Sequence, residues 1–325
     1  MKRQSSAMLM AFLAATLYAV SIPLSKLLLS HVGVGAVSMA AFLYFGAGFG
    51  MLLTSRFPRH HPEKPRLTRR ELPYTLGMIL LDIAAPIFFM LGLTYAPSAS
   101  ASLLTNLEIV ATSLLARLLF HERISAAMWI AVALITTSGI LLSGGGSLSF
   151  SAGSLLIVAA CCCWGLENNC TRMLSSKNAC QIVIIKGIFS GLGSLAVALL
   201  SGESLPPLMP AIYTMLLGYI SYGLSIFFYV KSQNDLGAAR TSAYYAINPF
   251  IGSLLSLLLF REPLPSGYPA ALLIMALGTL FTCADTSLLL HQHPHQHGSV
   301  EHSHFHLHLL GKGHQHSHIQ NEPSA

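Results

Sequence analysis

A stretch of 27 residues, Pro97–Arg123, returns about 140 residues later in the chain as Ala238–Pro263. Each copy begins with small polar residues, continues as an apolar run of helical length, and ends in Phe, a basic residue and Glu. At this constant offset Glu108 aligns with Asn248, and Glu122 aligns with Glu262. A chain that repeats itself at such a distance is internally duplicated, so we expect its fold to consist of two similar halves.

The composition excludes a water-soluble domain. Of the 325 residues, 53% are hydrophobic and 9% are charged, and the mean hydropathy is +0.62, whereas soluble domains carry roughly 25% charged residues. A helix needs about 20 apolar residues to cross a membrane. Ten runs qualify, near residues 6–29, 34–54, 72–94, 98–120, 125–143, 153–172, 181–201, 211–230, 237–260 and 266–284. The predicted fold class is an all-α polytopic membrane protein with ten transmembrane helices.

The repeat unit contains five of these helices. Because five is odd, the second copy must insert upside down relative to the first, as in many secondary transporters. We predict a first five-helix repeat over residues 1–143, a second over 153–285 and a His-rich tail over 286–325. Lys and Arg concentrate on alternate loops, above all in residues 55–71. The positive-inside rule therefore predicts a multi-pass protein of the cytoplasmic (inner) membrane with both termini in the cytoplasm.

Several short motifs accompany the repeat. The first copy holds Ser-Ala-Ser-Leu-Leu, Glu108 and Phe-His-Glu-Arg; the second holds Ser242-Ala-Tyr, Asn248-Pro and Phe-Arg-Glu-Pro; Trp164-Gly, Gly139 and Gly278 lie outside them. These motifs resemble the EamA-type transporters of the drug/metabolite transporter superfamily over about residues 6–285. The resemblance implies a ten-helix fold and export of small metabolites or amphipathic compounds without ATP. The family often has Pro after the glutamate; here Ile109 follows, which argues against a hinge in the fourth helix.

Three polar residues lie at similar depth, near the middle of their predicted helices: Asp82, Glu108 and Asn248. An ionised side chain at mid-bilayer costs about 2.5–3.5 kcal/mol on insertion scales, so such groups usually face the interior of the bundle. A carboxylate there can take up a proton and exchange it for a cationic or amino substrate. We therefore predict that these three residues bind cargo or couple it to protons. The alternative is a structural role, in which each is hydrogen-bonded to a neighbouring helix.

Further candidates lie in the sixth and seventh helices. Glu167 and Lys186 lie at equal depth on adjacent helices, which predicts an ion pair that works as an inner gate or as a static brace. Trp164 and Tyr18 are related by the repeat and form either an aromatic cavity wall or ordinary core packing. Asn168 and Asn169 make this part of the sixth helix unusually polar, so we expect at least one of them to face the cavity. Small-residue spacings in the second and seventh helices indicate close packing and are compatible with a homodimer.

The tail carries eleven histidines between residues 291 and 318: His291, His293, His295, His297, His302, His304, His306, His308, His314, His316 and His318. Neutral imidazole is a good ligand for Zn, Ni and Co, and His-rich tracts are typical of metal binding. We expect the tail to be disordered without metal, because its polar composition cannot bury enough apolar surface. The alternative is a flexible tail whose histidines matter little.

The leading functional hypothesis is a secondary exporter of small molecules with a midplane site between the repeats, embedded in the lipid bilayer. Efflux of a divalent transition metal or its chelate is one alternative, and a membrane-anchored metal sensor or store is another. The sequence contains no phosphate-binding loop and no grouping of nucleophile, base and oxyanion donors. We therefore expect no enzymatic activity, no nucleic-acid partner and no cofactor required for transport.

Overall fold

The structure, a computed structural model, describes residues 2–55, 67–120, 124–144, 151–174, 177–236, 244–261, 264, 266–297 and 300–309. Its helices, numbered in chain order, are α1 (Lys2–Ala19), α2 (Ser21–Leu27), α3 (Ala36–Ser55), α4 (Leu72–Tyr95), α5 (Ser98–Leu104), α6 (Leu107–Phe120), α7 (Ala126–Gly144), α8 (Ala152–Met173), α9 (Ala179–Leu200), α10 (Leu208–Gly218), α11 (Ser225–Leu236), α12 (Asn248–Phe260) and α13 (Tyr268–Ser287). The predicted His314, His316 and His318, with Ser242 and residues 121–123 of the repeated stretch, lie outside the described residues.

The described helices suit a membrane. Six segments are long and apolar enough to cross one: Ser5–Val32, Ala36–Ser55, Arg69–Tyr95, Ser98–Leu119, Cys180–Leu200 and Leu208–Tyr229. Shorter apolar helices cover Ala126–Leu142, Asn248–Phe260 and Tyr268–Cys283. Large apolar side chains such as Leu200 and Leu208 are exposed on the outside of the bundle, where they suit contact with lipid. The prediction of an all-α multi-pass membrane protein is confirmed, and the number of ten spans stays a prediction.

Some long helical segments are interrupted near their middle. Between α5 and α6, Thr105 and Asn106 form a turn in which the amide of Glu108 bonds to the carbonyl of Thr105 over 3.0 Å. The Thr105 hydroxyl donates to the carbonyl of Ser102 over 2.6 Å, which helps to stabilise this turn. The fourth predicted helix is thus broken beside Glu108 although Ile109 stands where the family often has Pro. The segments α10 and α11 are joined by a π-helical turn, Tyr219–Leu224.

Glycines bring α3 and α9 into close contact. A Cβ added at Gly48 would lie 2.8 Å from the backbone nitrogen of Ile188, and one added at Gly191 would lie 2.7 Å from the Phe45 ring. Only residues without a side chain allow these backbones to approach so closely. The two contacts also show that α3 and α9 run antiparallel, because rising numbers on one helix meet falling numbers on the other.

Other antiparallel pairs complete the bundle. Helix α4 packs along α8, where Gly92 contacts the backbone of Gly153. Helix α1 packs along α11, where the Ser225 and Ser232 hydroxyls donate to the carbonyls of Ala14 and Ala7, each over 2.9 Å. Helix α7 packs on α13, and α5 packs on α12. The buried apolar core lies between these pairs.

The beginning of the tail differs from the predicted disorder. Residues Leu288–His297 form strand β1 and residues Val300–Leu309 form strand β2, and the two pair antiparallel. The histidines recur at every second residue, and this period of two matches the alternation of a strand. The spacing of the histidines therefore favours a strand, although the polar composition of the tail favoured disorder.

Candidate functional site

Three helices bring charged side chains together inside the bundle. Asp82 lies in α4, Glu167 in α8 and Lys186 in α9. Lys186 Nζ is 3.0 Å from Asp82 Oδ2 and 3.1 Å from Glu167 Oε1. The single ammonium group therefore bridges two carboxylates that come from different copies of the sequence repeat. We call these three residues the charged cluster.

Neighbouring hydroxyl groups donate hydrogen bonds to both carboxylates. Asp82 is 0% exposed and Glu167 is 2% exposed. The Tyr44 hydroxyl donates to Asp82 Oδ1 over 2.9 Å, and the Thr171 hydroxyl donates to Glu167 Oε1. Such hydrogen bonds offset part of the cost of removing charges from water. With all three groups ionised the charged cluster has a net charge of −1, so one more positive charge, a proton or a bound cation, would neutralise it.

A second polar group surrounds Glu108 in the first turn of α6. The Asn168 side-chain amide donates to Glu108 Oε1 over 2.6 Å and to the Thr112 hydroxyl oxygen over 3.3 Å. The Asn169 amide donates to the carbonyl of Thr112 over 3.1 Å, which joins α8 to α6, and to the carbonyl of Gly165 within α8 over 2.8 Å. Within the described part of the chain, the Glu108 carboxylate makes no ion pair with a basic side chain.

Four tyrosines form a row of neighbouring rings that starts at the charged cluster: Tyr44, Tyr222, Tyr18 and Tyr245. In that order, successive ring centroids lie 5.7, 5.5 and 5.8 Å apart. The first ring is the one whose hydroxyl donates to Asp82. The rings thus form a continuous row, which we call the tyrosine wall, that extends from the charged cluster.

Glu108 and its partner Asn168 differ from the charged cluster in their exposure. Both side chains are half-buried, whereas Asp82 and Glu167 are 0% and 2% exposed. A carboxylate and an amide that stay partly accessible can bind a small polar or cationic molecule.

Comparison with known proteins agrees with this picture. Residues 5–144 and residues 151–284 each match the EamA-like transporter family. The chain belongs to this family. It is 24% identical over 271 residues to an uncharacterized transporter of Methanothermobacter thermautotrophicus, an alignment that covers 77% of this chain and 78% of that protein. A solved crystal structure has the same fold, with a TM-score of 0.61 at 17% identity over 86% of this chain and 97% of its own.

The resemblance inferred from the repeated stretch is confirmed, and the protein is a membrane transporter of the EamA-like family. The double family match falls on the two halves of the sequence repeat. Relatives of this family are transporters, so the grouping of polar side chains in the bundle is a candidate for the transport site.

The structure places most of the predicted residues in this transporter's polar region. Asp82, Glu108, Asn168 and Tyr18 all belong to the groups described above. Trp164 is buried, and its ring centroid lies 5.4 Å from that of Phe89, so it contributes to core packing beside the site. Asn248 is also buried, as the first residue of α12. Among the contacts of the described residues, none joins Asn248 to Glu108.

Sequence reasoning missed the bridge between Asp82 and Lys186. Counting residues along each helix placed Asp82 at the midplane and the Glu167–Lys186 pair nearer the cytoplasmic end, whereas the structure joins all three. Whether the pair works as gate or brace stays a prediction. The tyrosine wall was also missed, although one signal was available, since Tyr245 lies three residues before Asn248 in the repeated stretch.

One buried polar group near Glu108 lacks a partner. Asn106 Nδ2 has no hydrogen-bond acceptor among the described residues, and its side chain is buried at the break between α5 and α6. An unsatisfied buried donor costs about 1–3 kcal/mol, unless water or a ligand accepts from it. In the same described part of the chain, no group of three or more His, Cys, Asp or Glu could hold a metal ion.

Proposed function

We propose that this EamA-like protein is a secondary transporter that exports small metabolites or amphipathic compounds across the cytoplasmic membrane. The charged cluster carries the proposal, because it combines a fully buried Asp82 with Lys186 and Glu167 inside the helical bundle. Charged groups in a membrane interior are expensive and are usually retained for function. Cargo and proton share the region between this cluster and Glu108.

The packing supports an arrangement of ten spans in two inverted repeats. Gly48 and Gly191 correspond at an offset of 143 residues, and so do Phe45 and Ile188. The Gly48–Ile188 contact therefore has a counterpart in the Phe45–Gly191 contact. The repeat likewise relates two packed helix pairs, because α4 packs on α8 and their counterparts α11 and α1 pack on each other. A twofold relation of this kind suits a carrier in which the two repeats rock about a central site.

We propose that alternating access and protonation work together at this site. Glu108 binds either a proton or the cargo. The cargo is released on one side of the membrane only when a proton takes its place, and the proton is released only when cargo binds. The Asn168 amide holds the carboxylate in position. The charged cluster connects α4 of the first repeat with α8 and α9 of the second, so a change in its charge acts on the interface that must move.

Flux through the Glu108→Gln variant tests this function. Reconstituted wild-type protein should show flux of its cargo driven by a pH gradient, with the cargo first found by an efflux screen across amino acids, organic cations and transition metals. The variant should be folded and inserted but lose the coupling to protons, because Gln cannot release a proton. The matched control is Glu203→Gln, because Glu203 lies in a loop and its carboxylate accepts hydrogen bonds from the first turn of α3. Normal proton-coupled flux in Glu108→Gln would leave Glu108 with a structural role only.

Orientation is a separate part of the proposal. The excess of Lys and Arg in residues 55–71 favours cytoplasmic termini. Single cysteines at position 63 and in the tail, placed in a variant without the native cysteines, should react with an impermeant thiol reagent only after the membrane is opened. Labelling of either position from outside intact cells would contradict the orientation.

Metal efflux and metal storage depend on the tail. Its histidines at residues 291–318 are suitable ligands for Zn, Ni or Co. A metal exporter should lower the cellular content of one of these metals when expressed, and Glu108→Gln should abolish that effect. A sensor or store should bind the metal without any flux.

A further inference from the structure

We propose that Arg69 and Arg70 bind the phosphate of an anionic phospholipid, whose acyl chains lie along exposed leucines of α4. This site lies at the surface, whereas Asp82 of the same helix is fully buried. It depends neither on the cargo nor on the direction of transport. Its support comes from the turn that carries the arginines, the partners of the nearby carboxylate, the exposed leucines and the length of the helical segment.

A short turn holds the two arginines at the protein surface. The residues Arg69–Glu71 form a 3₁₀-helical turn before α4, and both arginine side chains are exposed. Just before the turn, the amide of Leu67 donates to Gln181 Oε1 over 3.2 Å, and the Leu67 side chain packs against a buried group that includes Leu174. The chain is therefore anchored to its neighbours at Leu67, and the arginines that follow remain accessible.

The carboxylate of the turn is engaged by other groups. Glu71 Oε1 lies 3.1 Å from Lys177 Nζ, and Glu71 Oε2 accepts from the amide and the hydroxyl of Thr68 over 2.7 and 2.6 Å. Within the part of the chain that the structure describes, neither Arg69 nor Arg70 makes an ion pair with an acidic side chain. Two adjacent positive charges therefore stay available for an anion, and guanidinium groups match the geometry of phosphate oxygens.

Exposed leucines continue the surface below Arg69 along α4. Leu72, Leu76 and Leu80 are 52%, 50% and 64% exposed. They follow Arg69 by three, seven and eleven residues, a spacing that puts all four residues on one face of a helix. A lipid whose phosphate binds the arginines can lay its acyl chains along this face, whereas a soluble phosphate gains nothing from the leucines. The surface therefore fits a lipid.

The length of the helical segment places Arg69 among the lipid headgroups. The segment Arg69–Tyr95 has 27 residues, which span about 40 Å at 1.5 Å per residue. A bilayer with its headgroup regions is about 40–45 Å thick. Tyr95 is 71% exposed at the far end of the segment, and tyrosine is common at membrane interfaces. With Tyr95 at one surface of the bilayer, Arg69 reaches the headgroups of the other.

Lipid binding to the purified protein tests the site. The full-length protein in micelles of an uncharged detergent is titrated with anionic dioleoylphosphatidylglycerol or with zwitterionic dioleoylphosphatidylcholine, and native mass spectrometry counts the bound lipids. The wild type should bind one phosphatidylglycerol at least about tenfold more tightly than phosphatidylcholine. Arg69→Gln combined with Arg70→Gln should weaken binding of phosphatidylglycerol by roughly ten- to thirtyfold and leave that of phosphatidylcholine unchanged.

Two further double variants serve as controls. Arg117→Gln combined with Arg261→Gln removes the same charge from two exposed arginines elsewhere and should bind phosphatidylglycerol as the wild type does. An equal loss there would show attraction by overall charge and overturn the site. Arg69→Lys combined with Arg70→Lys keeps the charge and should retain binding within about fivefold. A loss as large as that of the Gln variant would indicate a structural effect and contradict recognition by charge.

The headgroup without acyl chains distinguishes a lipid site from a site for soluble anions. Glycerophosphoglycerol in large excess should leave phosphatidylglycerol bound, because it cannot contact the leucines. Its binding with the affinity of the lipid would mean that the arginines recognise a soluble phosphate diester, which contradicts the lipid site. Equal affinity of the wild type for the two lipids would overturn the proposal and leave the transport function untouched.

Discussion

At the scale of single residues, the bridge made by Lys186 is the feature most sensitive to change. Replacing it by Met leaves the Asp82 and Glu167 carboxylates buried with no ammonium group between them. Loss of one partner from a buried ion pair typically costs about 3–5 kcal/mol. We predict that Lys186→Met lowers the free energy of unfolding by this order, measured by chemical denaturation in detergent micelles.

The carboxylates provide the control for this prediction. Combining Lys186→Met with Asp82→Asn and Glu167→Gln removes the uncompensated charges, so the triple variant should be more stable than Lys186→Met alone. Asp82→Asn alone should be harmful as well, because the Tyr44 hydroxyl and Lys186 both lose a charged acceptor. Effects that simply add across the single and combined variants would contradict an energetic bridge.

The depth of a residue in the membrane can be predicted from its position in the sequence, but its contacts cannot. Counting along a helix gives the approximate depth of a residue, which was enough to single out Asp82 and Glu108 as interior. It does not give the tilt of the helix or the direction of the side chain. Helix tilt and side-chain direction decide whether Asp82 meets Lys186, so this contact could not be predicted. The same holds for Asn248 and Glu108, between which no contact is described.

At the scale of helices, the crossing of α3 with α10 depends on a residue without a side chain. A Cβ at Gly46 would collide with the carbonyl group of Met215. We predict that Gly46→Ala lowers the free energy of unfolding by about 1–3 kcal/mol, as overpacking does, although Ala is the better helix former. Gly267→Ala is the matched control, because its Cβ would lie 3.6 Å from the nearest atom, the carbonyl oxygen of Leu141. A thermal melt of both variants in detergent micelles compares them; equal melting temperatures would contradict a close crossing.

The helix breaks show where local sequence rules are incomplete. The absence of a hinge in the fourth helix, expected because Ile109 replaces a proline, stays a prediction, but a turn at Thr105 and Asn106 interrupts the regular helix. The Thr105 hydroxyl bonds the carbonyl of Ser102, and hydroxyl side chains that bond local carbonyls compete with regular helix geometry. Interruption by such a side chain has a weaker sequence signal than proline, so only the structure reveals it.

At the scale of the whole molecule, composition and duplication were the strongest signals. A charged fraction of 9% with a mean hydropathy of +0.62 leaves a membrane bundle as the fitting class. The repeat pointed to the transporter family, because a duplicated five-helix unit is characteristic of secondary carriers. The cargo could not be predicted in this way, since it depends on how side chains from distant helices meet, as Glu108 of α6 meets Asn168 of α8.

The tail that follows the transport bundle is rich in histidine. In the pairing of β1 with β2, His291 lies opposite His306, His293 opposite His304 and His295 opposite His302. The register of the two strands thus pairs histidine with histidine at three positions of the hairpin. Neutral imidazole is a good ligand for zinc, so the histidine content of the tail is the reason to expect metal binding.

We predict that the full-length protein binds Zn or Ni through this tail and that a chain ending at Ser287 does not. Only neutral imidazole coordinates metal, so binding should weaken as pH falls through about 6.5. Equilibrium dialysis of both chains between pH 5.5 and 7.5 measures this, with His302, His304, His306 and His308 replaced together by Gln as a control that keeps the tail length. If the tail serves only to buffer metal, truncation should leave flux of organic cargo intact, whereas a regulatory tail should make that flux depend on metal only in the full chain. Equal metal binding by the full and truncated chains at micromolar concentration would contradict the prediction and remove the main support for a metal cargo.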